Sequence, residues 1–373
     1  MKKRLLLTMI IASILLTGCF SYMDINRVYF STITILDKEA DGSRDLYGEY
    51  FTSDRGDSEQ GGVVTRVVLK GNGRNSYEAF DNLQGSSTYP IRYDLLRAIG
   101  FTEDLARDGI EESLDFLERD QNVTNKIFLF ITPVDPEKFM NLEMNDDKYV
   151  GVWLEDLFIF QEHQSKILSI RSNDYLNERL KGSRISVLPI IDIVKMPTEE
   201  RLYVSAAAIM ENNKMIGELS KEEIPLYKIL FHSDKDIVGT FSVIDPNTRA
   251  DVSVSLIVMD IDQKIETIDG KLTLIYDITG VCTIQSVVGE MNLLNSTIRS
   301  EFIKAVEETM SKNSEDFYKK YQKEGIDILD VKLKLNRKYP HMEFEDDIFQ
   351  SVNIKVNTTI TLDGSQNITK TLE

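Results

Sequence analysis

The chain has 373 residues, 42% hydrophobic and 28% charged, and its 43 Lys plus Arg stand against 61 Asp plus Glu for a net charge of −18. That length has room for two or three cores, and the composition excludes disordered, collagen-like and multi-span membrane classes. The acidic balance argues against a partner bound by neutralising nucleic-acid phosphates.

Lys2, Lys3 and Arg4 form a positive leader, followed by the 13-residue apolar run Leu5 to Thr17. A membrane span needs roughly 20 apolar residues, so the pattern is that of a signal peptide over 1–18. The run closes on Leu16-Thr17-Gly18-Cys19, which resembles a bacterial lipobox. In such signals the Cys19 thiol receives a diacylglyceryl group and cleavage makes Cys19 the new N-terminus. Two acyl chains give stable anchoring where one gives marginal binding. Without the three leading cations the body keeps 40 basic against 61 acidic residues, so anionic lipid repels it and the acyl chains must hold it.

Cys282 stands alone in the apolar stretch Leu272 to Ile284, which reads as a buried small hydrophobe with no disulfide available. The mature chain then alternates helix and strand. Val28 to Leu36 is a strand, Asp41-Gly42 and Arg55-Gly56 mark turns, and Val63 to Leu69 is a second strand. Gly71-Asn72-Gly73 reads as a turn before a helix starting at Ser76. It lacks the third glycine of a dinucleotide fingerprint and the lysine of a P-loop. Phe101 to Arg107 and Ile110 to Arg119 are short helices, Ile127 to Ile131 a buried strand, and Trp153 to Leu180 a helical region. Val187 to Ile191 is extended, although Pro189 disfavours a central ladder position.

Asn212-Asn213 tolerates positive φ and joins Tyr203–Met210 to Lys214–Gly217 as a hairpin, after which Ser220 and Glu223 form a capping box for a helix through Phe231. In the last third, alternation marks strands at Val252–Val258, Leu272–Ile278, Val331–Leu335 and Val352–Leu362. Between the second and third, Ile298, Phe302, Val306, Met310, Phe317 and Tyr321 make the apolar stripe of a helix over Leu293 to Gln322. The expected fold class is therefore α+β and multi-domain: an N-terminal α/β domain over 19–195, a small hairpin-plus-helix unit over 196–235, and a C-terminal antiparallel sheet packed on one long helix over 236–373. The solvent side of that last sheet is a candidate contact face.

Catalytic, cofactor and metal residues are expected to be none. The three histidines, His163, His232 and His341, have no ligand spacing, and no nucleophile elbow, Cys-x-x-Cys or P-loop occurs. Asp260-Ile261-Asp262 fails as a calcium loop at Lys264 and Ile265. The acidic groups Asp146-Asp147, Glu199-Glu200 and Glu345-Asp346-Asp347 read as solvated surface.

Taken in order, the lipobox, Ser76-Tyr77-Glu78-Ala79, Ile99-Gly100-Phe101-Thr102-Glu103-Asp104-Leu105-Ala106, Gly109-Ile110 and Leu114 to Asp120 resemble the N-terminal part of the Ger(x)C-type spore germination lipoproteins. Leu188-Pro189, Ala207 to Met210, Lys214 to Ser220, Tyr321 to Ile328, Tyr339-Pro340 and the Val352 to Leu362 strand continue the resemblance across nearly the whole mature chain. Phe20 and Ile348-Phe349 stand where that family commonly carries tryptophan, which marks a divergent member. The resemblance implies a non-enzymatic C subunit of a spore germinant receptor, of three-domain α+β type. It would be lipid-anchored at Cys19 on the outer face of the spore inner membrane and would act with an A subunit and a multi-span B subunit in the response to small nutrients. The alternative is a solute-binding lipoprotein of a transporter, which would share the anchor but normally has two similar lobes.

Overall fold

The computed structural model describes residues 27–54, 63–119, 123–124, 126–144, 149–161, 166–180, 182–232, 238–291, 293 and 295–363. Its first sheet orders its strands β3-β2-β1-β5-β6-β7-β8-β9, with the two-residue β4 (Ile91–Arg92) beside the start of β1 (Tyr29–Lys38). At the centre β1, β5 (Ala98–Thr102), β6 (Phe128–Thr132) and β7 (Ile185–Lys195) run parallel. Antiparallel strands flank them: β2 (Arg44–Asp54) and β3 (Val63–Gly73) on one side, β8 (Glu200–Glu211) and β9 (Lys214–Ser220) on the other.

Both faces of this sheet are covered, as its near-continuous apolar strands require. Along β6, Leu129 and Ile131 join one core and Phe128 and Phe130 the other, the period of two that a pleated strand imposes. The first core is closed by α1 (Ser76–Ser86), α2 (Glu103–Asp108), α3 (Glu111–Arg119) and α6 (Ser172–Arg179). The second is closed by α4 (Pro136–Met140) and α5 (Val150–Phe160), and it continues without a break into the C-terminal unit.

Several local expectations change. Gly71 and Gly73 lie in β3 rather than in a turn, and a Cβ at Gly71 would collide with Ala79 O and Leu83 Cβ of α1, so the glycine sets the close approach of helix to strand. Helix α1 does start at Ser76, and Asn75 caps it, with Oδ1 accepting from Glu78 N at 2.8 Å. The helical region expected over 153–180 contains two separate helices, α5 and α6. Pro189 lies in an interior strand, but β7 meets β6 only at the Ile131–Ile190 pair, where a missing donor costs little. The hairpin expected as a separate middle unit forms the β8–β9 margin of the first sheet. Its turn is as read, with Asn212 and Asn213 at φ 49° and 65°. Glu223 accepts from Ser220 N at 2.9 Å as the capping box requires, and α7 (Ile224–Tyr227) then passes into a π turn over Lys228–His232.

The second sheet runs β10 (Val238–Ile244), β11 (Asp251–Ile268), β12 (Lys271–Val288) and β13 (Asn353–Leu362). The first three are antiparallel, with Asp269 and Gly270 at φ 50° and 75° forming the hairpin between β11 and β12. β13 instead lies parallel to β12, because the chain returns through α8 (Ser296–Glu324), a crossover long enough to bring the strand in from the same end. Asn295 caps α8 and Gly325, at φ 76°, ends it. The expected α+β architecture with its long helix is the one observed.

Val331, Leu333 and Leu335 are not a strand. They belong to α9 (Val331–Lys338), which buries Val331 and Leu335, one helical turn apart. Helix α8 also covers the outer edge of β13: Glu307 accepts from Ile360 N at 2.8 Å, Glu315 from Val356 N at 3.3 Å, and Ser311 Oγ lies 2.8 Å from Thr358 Oγ1. Three side chains spaced four apart thus occupy polar groups that an open edge would offer to another chain. The opposite face of this sheet is polar, with Asn357 bonded to Asp277 at 2.7 Å and Lys264 paired with Asp277 at 3.2 Å.

Candidate functional site

Cys19, the one site residue expected from sequence, lies outside the described residues, as do Asp146-Asp147 and His163. Among the described residues no helix is long and apolar enough to cross a membrane. His341 is exposed, and the described residues hold no group of three metal-ligating side chains. Cys282 is buried in β12, and burial pushes its thiol up to about 11, so it does not supply a thiolate near neutral pH. At the surface Glu200 pairs with Lys138 at 3.4 Å and Asp346 with Lys332, while Glu199, whose side chain is largely buried, pairs with Arg201.

What the fold does assemble is a polar cleft of about 570 Å³ where the first sheet meets the C-terminal unit. Arg184 and Asn212 line it from the first sheet, Asp327, Lys332, Asp346 and Gln350 from the other side. The joint beside it is specific. Asp330, at the start of α9, accepts from Ser183 N at 2.8 Å, and both Arg184 and Asp330 hold left-handed backbone, at φ 58° and 51°. Farther along, Tyr276 donates to Leu230 O at 2.8 Å, and Lys320 pairs with Glu223 at 2.7 Å. Tyr321 donates to Glu218 O at 3.3 Å. Burial lowers Lys334, 3.1 Å from the Tyr276 hydroxyl, to about 8 against the pull of Asp330 and Asp327. None of these partners neighbours its mate in sequence, so no local motif announced the joint.

Asp327 accepts the amides of Val331 at 2.8 Å and Lys332 at 3.1 Å, yet burial outweighs both bonds and raises its carboxyl to about 6. An acid raised in the folded state favours folding most when protonated. Its contribution is therefore full below its ordinary value near 4 and is lost as pH rises toward about 6. Wild type is expected to lose about 1–3 kcal/mol between those pH values relative to Asp327→Asn, which does not titrate. Urea midpoints at pH 4 and pH 7 measure the difference, and identical pH dependence in the two proteins would refute it.

Among solved structures, the crystal structure of the GerBC protein aligns with 88% of this chain and 96% of its own, at a TM-score of 0.54 and 13% identity. The two-sheet architecture is therefore shared with the GerBC protein. The sequence assigns the lineage: residues 21–193 match the model of the spore germination protein N-terminal domain, and residues 205–366 the model described as spore germination B3/GerAC like, C-terminal. The chain belongs to the Ger(x)C family of spore germination proteins. The spore germination protein GerQC of Bacillus cereus is 24% identical over 234 residues, 62% of each chain. YfkR of Bacillus subtilis (strain 168) is 22% identical over 252 residues, 65% of this chain and 64% of its own. The alignments thus span slightly less than two thirds of these relatives.

Proposed function

We propose that the protein is the C subunit of a germinant receptor, a non-enzymatic lipoprotein held by a diacylated Cys19 on the outer face of the spore inner membrane. It works there with A and B subunits in the response of dormant spores to small nutrients. The carrying observation is order: a lipobox ending at Cys19 is followed at once by the two germination-family regions, 21–193 and 205–366. The extensive joint between the sheets supports a scaffolding role, since it makes the two units one body against which other subunits can be held.

Deletion of the coding region, followed by germination assays against single nutrients, tests the reading. Selective loss of the response to one nutrient class is expected, while growth and sporulation stay normal. The polar cleft supports a second reading, a solute-binding lipoprotein of a transporter. Normal germination to every nutrient together with slowed uptake by growing cells would select it instead.

A further inference from the structure

Helix α5 is apolar nearly all round. Its sequence, Val-Gly-Val-Trp-Leu-Glu-Asp-Leu-Phe-Ile-Phe, buries Val150, Leu154 and Phe158 against the sheet, as an amphipathic helix would. The outward side should then be polar, yet it carries exposed Ile159 and Phe160, the last at 75% exposure, and Trp153 at its margin is half-buried, packed on the core along one side only. A helix with this distribution is normally covered on both sides. The apolar stripe also continues off the helix. Tyr149, one turn before Trp153, packs on Phe51 with ring centroids 5.4 Å apart, and Phe51 packs on Phe30 at 5.6 Å.

This stripe starts where the chain enters the fold. Phe30 is three residues from Arg27, the first described residue, and Val28 is already buried. The start of α5 is fixed to the same place, because Val150 N and Gly151 N donate to Glu49 at 3.1 and 3.3 Å and a Cβ at Gly151 would collide with Thr32 O of β1. From Cys19 to Arg27 the chain can reach at most roughly 29 Å, and eleven helical residues extend roughly 16 Å. A tether of that length keeps the whole stripe within reach of the surface in which Cys19 is anchored.

We infer that Phe30, Phe51, Trp153, Ile159 and Phe160 form a face that lies against the lipid headgroup region and sets the orientation of the anchored protein. This rests on the anchored reading of Cys19. Tryptophan, with an apolar body and a polar tip, is a residue that settles at this depth, while Tyr149, whose hydroxyl is buried, contributes its ring to the packing beneath the face. Charge is consistent with such a face in an otherwise acidic protein. Glu155 is neutralised by Arg97 at 3.2 Å, Arg27 is exposed at the entry point, and Asp156 is the remaining charge on the helix.

Trp153 is the only tryptophan in the chain, so its emission reports on this face alone. Full-length lipidated protein is reconstituted into phosphatidylglycerol and phosphatidylethanolamine vesicles with plain or brominated acyl chains, and flotation is measured on the same samples. Wild type is expected to float, to shift its emission to the blue and to lose about half of it to brominated lipid. The Ile159→Ser, Phe160→Ser variant changes only exposed side chains and is expected to float equally with quenching reduced several-fold. Protein that floats while brominated lipid leaves Trp153 emission unchanged overturns this inference and leaves the anchor standing. Protein that does not float overturns both. Shielding of Trp153 only in native membranes that contain other receptor subunits, and not in vesicles, overturns the lipid assignment in favour of a protein partner.

Discussion

Replacing Glu49 by alanine is expected to destabilise the protein by about 3–5 kcal/mol, the range found when one member of a buried charge pair is removed. Glu49 is fully buried in β2, and its carboxylate is shared among four donors from three other elements, β1, β3 and α5. Arg66 Nε of β3 donates at 2.6 Å, the Thr32 hydroxyl of β1 donates from the other side, and the amides of Val150 and Gly151 point at it from the start of α5. Those amides are among the four that any helix leaves without internal partners, and a carboxylate there also meets the favourable end of the helix dipole. Arg66 in turn donates to Met140 O at the end of α4, so the two helices over this face are tied to the sheet through one network. Alanine would strand Arg66 and two buried amides together. Glu49→Gln keeps the shape but turns one acceptor into a donor facing groups that already donate, so an intermediate loss is expected. Urea unfolding of the three proteins measures the ranking; a loss below about 1 kcal/mol for Glu49→Ala would mean that water replaces the network at little cost.

That network shows what a sequence of this kind conceals. An acidic residue between Gly48 and Tyr50 in a β-forming stretch gives no sign of burial, because its partners arrive from positions 32, 66, 150 and 151. Where partners are local, the reading was sound. Asn212-Asn213, the Ser220–Glu223 box and the long helix before Gly325 are set by interactions within a few residues, and each stands where expected. Val331, Leu333 and Leu335 failed because three residues at alternate positions satisfy a strand and also place Val331 and Leu335 on one helical face; the carboxylate of Asp327, which holds the first amides of α9, settles the matter for helix. Gly71 failed in a different way. Its neighbours suggest a turn, while the demand for a glycine comes from Ala79 and Leu83 of a helix packed across it. The outward apolar side of α5 is not legible in sequence, because an apolar helix looks like core and only its exposure in the fold makes it a surface in want of a cover.

The second large effect concerns Cys19. On the proposed reading, Cys19→Ala leaves a chain without acyl groups, and it is expected to move from the membrane fraction to the soluble fraction almost completely. A single acyl chain binds membranes with an association constant of only about 10⁴ M⁻¹, so the variant, with none, retains only its aromatic face. That face must act against the repulsion between an anionic leaflet and a body with 61 acidic residues to 40 basic ones. Loss of the tether also removes the high effective concentration that confines the protein beside membrane-embedded partners, so weak contacts with them no longer suffice. Spores carrying only the variant should therefore resemble the deletion in the one nutrient response that the deletion abolishes. Fusing the Cys19→Ala body to an unrelated single membrane span separates location from lipid. Restored germination would assign the anchor the role of holding the protein in place. A variant that stays membrane-bound and germinates normally would remove Cys19 from the mechanism and place the membrane contact in the folded body itself.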